Sequence, residues 1–160
     1  MTRTASADRS AVERFTRALS AEEAEFLLND WQLWARDDQL PPPLSQTGAP
    51  WTTWLILGGR GAGKTRAGAE WVRGMALGRP PFTDAPVGRI ALIGETLGDA
   101  RSVMVDGASG LLAIHPSGER PSYNGSRREL TWPNGAVACP ASAFTRQIGV
   151  NEKWRISCSS

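Results

Sequence analysis

The stretch Gly58-Gly59-Arg60-Gly61-Ala62-Gly63-Lys64-Thr65 constrains this chain more than any other. It fits G-x-x-x-x-G-K-[ST], with Gly58, Gly63, Lys64 and Thr65 at the fixed positions. Such a loop wraps backbone N–H groups around a phosphate, and glycine permits both the close approach and the positive φ angles this needs. The helix that follows aims its positive dipole end at the same phosphate. Lys64 brings a compact charge able to reach β- and γ-phosphates, and Thr65 brings a hydroxyl suited to Mg²⁺. At this composition a chance match has odds of roughly one in 300.

The flanking sequence agrees. Thr53 to Leu57, rich in β-branched and aromatic residues, reads as a short strand, and Lys64 to Leu77 reads as a helix. Ala67, Trp71 and Met75 recur there every four residues and point to one core-facing side. Gly78-Arg79-Pro80-Pro81 stops that helix. Gly88 to Ile93 reads as a second, buried strand, and Leu97 to Val105 as a helix. Arg127 to Trp132 and Ala136 to Cys139 flank Asn134-Gly135, the signature of a hairpin with a tight turn. The strand–helix–strand order predicts an α/β fold of the P-loop NTPase kind, with a mostly parallel sheet and flanking helices. A small helical segment precedes it. Ser20 and Glu23 form a capping box, and Phe26, Leu27, Trp31 and Trp34 predict one apolar helical face. Pro41-Pro42-Pro43 and the run to Pro50 read as a stiff, exposed linker, which places the domain boundary at residue 50.

Composition narrows the classes further. No apolar run approaches the ~18 residues of a membrane span, and residues 1–9 lack the apolar core of a secretory signal. Two cysteines, Cys139 and Cys158, exclude a disulfide scaffold. A cytoplasmic protein is the expectation. Residues 1–50 carry five arginines against eight acidic residues; residues 51–160 carry thirteen basic against eight acidic. That excess can face phosphates, but it reads first as an ordinary solvated surface. The same holds for Arg120, Arg127 and Arg128.

Other candidates are weaker by residue type. Asp106 follows a helical string and reads as a helix-end surface residue. Glu95 lies at the carboxyl edge of the second strand, where open α/β sheets bind ligands, and reads first as a capping or surface residue. His115 alone makes neither a metal site nor a triad. Arg60 is either a filler or a second cation for phosphate. Gln39 has an amide able to pair with both edges of adenine, although an exposed glutamine is the plainer reading.

Taken together, the Trp34-Ala35-Arg36-Asp37-Asp38-Gln39-Leu40-Pro41-Pro42 string and the run from Trp54 to Arg73 resemble the large terminase subunit of tailed phages. The likeness is strongest to the version in phage-derived gene transfer agents, and it covers about residues 20–138. It implies an ATPase motor that pumps double-stranded DNA into a capsid. The resemblance assigns ATP to Gly58, Gly59, Arg60, Gly61, Ala62, Gly63, Lys64 and Thr65, with Mg²⁺ on Thr65. It assigns adenine contact to Gln39 and a sensor or finger role to Arg60. It implies a portal ring and a small terminase subunit as partners, and a ring homo-oligomer. From Cys139 the likeness fades, and no Asp-Glu pair occurs anywhere in the sequence. The expectation is therefore a partial ATPase domain over 51–138 and an unrelated, frameshifted or disordered tail over 139–160. Such a truncated fragment would bind ATP without hydrolysing it and would be marginally stable. A complete small P-loop phosphotransferase and a non-catalytic DNA- or partner-binding module are the alternatives.

Overall fold

The alternation of Arg89-Ile90-Ala91-Leu92-Ile93-Gly94 sets the sheet. In the computed structural model, which describes residues 4–143, strand β1 spans Arg89–Gly94. It buries Ile90 and Leu92 and turns Arg89, Ala91 and Ile93 outward. The strand expected here is present, with one buried face rather than two. It pairs in parallel with β4, Val137–Ser142, from Arg89 opposite Val137 to Gly94 opposite Ser142. Strand β3, Glu129–Thr131, lies antiparallel to β4, and β2, Ser122–Asn124, lies antiparallel to β3.

The order is β1-β4-β3-β2, so the four-stranded open sheet is mixed, which corrects the expectation of a mostly parallel one. The reason is local. Two hairpins reverse the chain after β1, and only the β1–β4 pair is reached by a crossover. At the β3–β4 turn the Gly135 N–H donates to the Trp132 carbonyl and the Trp132 N–H to the Ala136 carbonyl. Gly135 alone carries a positive φ, 88°, so this is a turn with a glycine bulge rather than the two-residue primed turn that Asn-Gly predicts.

Strand β4 runs through Cys139-Pro140-Ala141-Ser142, so the sheet continues past residue 138. Pro140 is tolerated because β3 reaches only Val137 and Ala138, leaving a ladder on one side of the proline. The expected tail from residue 144 onward lies outside the described residues.

Thr53 to Leu57 forms no strand, contrary to its composition; Leu55 and Leu57 are 73% and 79% exposed. Residues of this type hold a strand only through a partner, and no strand of the described sheet pairs with them. Helix α4, Lys64–Leu77, forms where expected. It lays Ala69, Val72, Met75 and Ala76 on the sheet, with Trp71 half-buried at the margin. Short helix α5, Leu97–Asp99, opens with a Thr96–Asp99 capping box and passes into a π-helical turn, Ala100–Val105. Helix α6 is Leu111–Ile114. Val105, Leu111, Ile114, Leu130, Trp132 and Ala138 complete the core.

The chain divides into two units at Trp34/Ala35. The first has helices α1, Thr4–Ala18, α2, Ala21–Asn29, and α3, Trp31–Trp34. The Ser20–Glu23 capping box forms as the sequence predicts. The predicted apolar face is not covered: Phe26 and Trp34 are exposed, and Leu27 and Trp31 are half-buried. Helices this short bury little among themselves. The boundary falls ahead of the proline run because Arg36 and Gln39 bond to the glycine loop.

Candidate functional site

The two ends of α4 are finished differently. At its C-terminal end the carbonyls find partners within the chain. The Gly78 and Arg79 N–H groups donate to the Gly74 carbonyl, Val87 N–H to Met75 at 2.8 Å, and Asn134 Nδ2 to Ala76 at 2.8 Å. At its N-terminal end the first intrahelical bond runs from Ala67 N–H to the Gly63 carbonyl. The Lys64 and Thr65 amides therefore have no carbonyl one turn back to meet. Both residues are exposed.

The loop that leads in is tight. Gly61 and Gly63 hold φ angles of 80° and 76°, a region in which side chains are strained. A β-carbon at Gly58 would come within 2.9 Å of the Ala62 methyl group. The Ala62 N–H donates to the Gly59 carbonyl at 3.3 Å. Lys64 Nζ folds back over the loop and donates to the Gly58 and Gly59 carbonyls, both at 2.7 Å. Its charge is thus held at the mouth of the loop. Arg60 is exposed on the turn, with no ion pair among the described residues.

Gln39 is brought to this loop from 23 residues away. It ends a short 3₁₀ turn, Asp37–Gln39, and is 6% exposed, against the plainer expectation of a surface glutamine. Its Oε1 accepts from the Arg36 N–H at 3.1 Å, and its Nε2 donates to the Ala62 carbonyl at 3.4 Å. Arg36 Nη2 donates to the same carbonyl at 2.9 Å and also pairs with Asp38. Arg36 and Gln39 therefore fix the loop from one side. The contribution of Arg36 is not legible in the sequence, because residue spacing does not reveal a contact across 26 positions.

An apolar cleft of about 300 Å³ opens beside Lys64 and Thr65, between α4, β1 and the π-helical turn, with Trp71, Ile93, Val103 and Met104 in its wall. Lys64 and Thr65 also line it; the rest of its wall is hydrophobic surface.

Behind the loop, α4 carries a buried ion network. Glu70 and Arg73 are 2% and 4% exposed. Arg66 Nη2 reaches Glu70 at 2.7 Å, Arg73 reaches Glu70 at 3.3 Å and Glu119 at 3.0 Å, and Arg79 also pairs with Glu119. Burial pushes the Glu119 carboxyl up, but the hydrogen bonds and charges of Arg79 and Arg73 outweigh it and hold the group below its ordinary value.

The remaining candidates stand apart from the loop chemistry. His115 is a satisfied core residue: Nδ1–H donates to the Leu111 carbonyl at 2.6 Å, and Nε2 accepts from the Trp132 indole N–H at 2.9 Å. Burial pushes its pKa down to about 4 against the backbone bond, with the Arg73 charge adding to the fall. Asp106 caps the π-helical turn and pairs with Arg101 at 3.1 Å. Glu95 is exposed at the carboxyl end of β1, and its backbone carbonyl accepts from the Ser142 hydroxyl. Among the described residues no cluster of His, Cys, Asp or Glu could hold a metal by itself, and no helix is long and apolar enough to cross a membrane.

A family model described as terminase large subunit, T4likevirus-type, N-terminal, matches residues 55–149. No curated protein and no solved structure matches the chain.

Proposed function

Because this chain belongs to the N-terminal family of T4-like terminase large subunits, the phage proteins of DNA packaging, we propose that its glycine loop binds Mg-ATP. The observation that carries this reading is the loop itself. Gly58 to Thr65 holds two left-handed glycines, opens a 14-residue helix, and keeps Lys64 Nζ at its mouth. The Lys64 and Thr65 amides and the helix dipole suit the β- and γ-phosphates. An arriving phosphate exchanges with the Gly58 and Gly59 carbonyls for the Lys64 ammonium. The Thr65 hydroxyl is exposed and is the group that would hold Mg²⁺. The chemistry such an ion would supply there is to offset the charge of the terminal phosphates.

Gln39 braces the loop through Ala62, and its amide meets an adenine edge after exchanging one of its present bonds. Arg60 is the sensor or finger cation. The sequence contains no Asp-Glu pair to hold the ion and orient water, so this chain by itself binds nucleotide without turning it over. In this reading it serves the motor that moves double-stranded DNA into phage or gene-transfer-agent capsids in the host cytoplasm. A ring of copies, a portal ring and a small terminase subunit are its partners.

Calorimetric titration of Mg-ATP into the full chain, beside Lys64→Ala, tests the reading. Binding by the parent that is lost in the variant supports it. Equal binding by both, or heat from neither in a chain shown to be folded, overturns it.

A further inference from the structure

The β2–β3 hairpin carries a feature that the loop chemistry leaves unused. Its buried face holds Leu130 and the half-buried Tyr123, and its outer face shows Ser122, Asn124 and Thr131. The four residues of its tip, Gly125-Ser126-Arg127-Arg128, are all exposed. The tip is held in one shape, because Asn124 Oδ1 accepts from both the Ser126 and Arg127 N–H groups at 3.0 Å. Arg128 sits in the left-handed region with a φ of 56°, the one non-glycine residue to do so among the described residues. A glycine or asparagine takes that conformation at less cost, so an arginine there trades local strain for a guanidinium at the tip.

Neither Arg127 nor Arg128 forms an ion pair among the described residues. The next acid along the chain, Glu129, is half-buried on β3. A third guanidinium, Arg101, lies 5.3 Å over the Tyr123 ring of the same hairpin, and a fourth, Arg120, is exposed just before β2.

We propose that the tip of this hairpin, through Arg127 and Arg128, is a contact surface for the phosphate backbone of double-stranded DNA. Two adjacent, uncompensated guanidiniums on a shaped turn suit neighbouring phosphates, and they touch no base edge, so the contact is independent of sequence. The packaging reading identifies the polyanion as DNA; the geometry of the tip stands without it.

The test is the salt dependence of binding of the full chain to a short mixed-sequence duplex. Removing both guanidiniums in Arg127→Ala/Arg128→Ala lowers the slope of log K against log salt by about two, one for each lost phosphate contact. Arg14→Ala/Arg17→Ala, which removes the same charge from the first helical unit, leaves the slope unchanged. Arg128→Gly relieves the backbone strain and still lowers the slope by about one, whereas Arg128→Lys preserves it. Lys64→Ala binds DNA as the parent does, which separates failure of this surface from failure of the glycine loop. An Arg127→Ala/Arg128→Ala slope equal to that of the Arg14→Ala/Arg17→Ala control overturns the proposal, as does a parent chain that binds no duplex at low salt.

Discussion

The first turn of α4 and the body of the same helix obey opposite rules. The first turn is exposed, enters from left-handed glycines and carries Lys64, whose ammonium bonds to the Gly58 and Gly59 carbonyls of the loop. The body, from Ala67 onward, is packed on the sheet, threaded by a buried charge network, and capped by its own chain at Gly74, Met75 and Ala76. One helix thus separates an open, exposed end from a packed end within 14 residues. The difference teaches that substitutions in α4 should sort by position into losses of binding and losses of folding.

The largest effect is expected at Glu70. Glu70→Ala removes one of the two carboxylates that hold the buried Arg73 guanidinium, leaving it Glu119, and takes away the partner of Arg66; breaking a buried pair costs about 3–5 kcal/mol. Urea melts of parent and variant read it directly; a loss below about 1 kcal/mol would erase the contrast between the two ends. Acid is next. His115 is neutral when buried, with a pKa of about 4, and takes up a proton in the unfolded chain near pH 6.5. Stability is therefore full above about pH 6.5 and falls as the pH drops toward 4, by about 3 kcal/mol for this group. Glu119, held below its ordinary value, adds loss in the same direction at lower pH still. His115→Gln, which keeps an acceptor for the Trp132 indole, should flatten the fall between pH 6.5 and 4 in denaturant melts.

Gly74→Ala is expected to cost about 1–3 kcal/mol, because a β-carbon there runs into the Phe82 ring and the core must shift. Its melting temperature should fall while Mg-ATP binding by the folded fraction is retained. The smallest change in stability belongs to Lys64→Ala, within about 0.5 kcal/mol, since the side chain is exposed. Its loss should appear in nucleotide titration alone, and a large stability change there would break the division.

How much the sequence discloses follows the same line. The glycine loop, α4, β1, the Ser20 cap and the β3–β4 hairpin are all readable, since each rests on residues within a few positions of one another. Arg66, Glu70 and Arg73 stand at i, i+4 and i+7, a spacing that marks an ion-pair row, yet nothing in that row foretells its burial or its link to Glu119, 46 positions from Arg73. The strand expected at Thr53 to Leu57 failed because composition reports preference, whereas pairing requires a neighbour. The mixed sheet is not legible in the element order, because strand–helix–strand suggests parallel pairing throughout, which holds for β1 and β4, whereas the two hairpins reverse the strands that come between. The amide of Gln39 and the family resemblance both mark it as a candidate; its burial against Ala62 has no local signature.

Positions 39 and 63 share one space. A β-carbon at Gly63 would collide with the Gln39 amide, and the φ of 76° disfavours one in any case. Any other residue at 63 has to push aside the Gln39 amide, the far end of a flexible side chain, and in doing so it gives up the bond to Ala62. The glutamine and the glycine are therefore sterically coupled, and a library randomised at both sites should return the parental pair, or a small residue at 39 wherever 63 has changed, more often than chance allows.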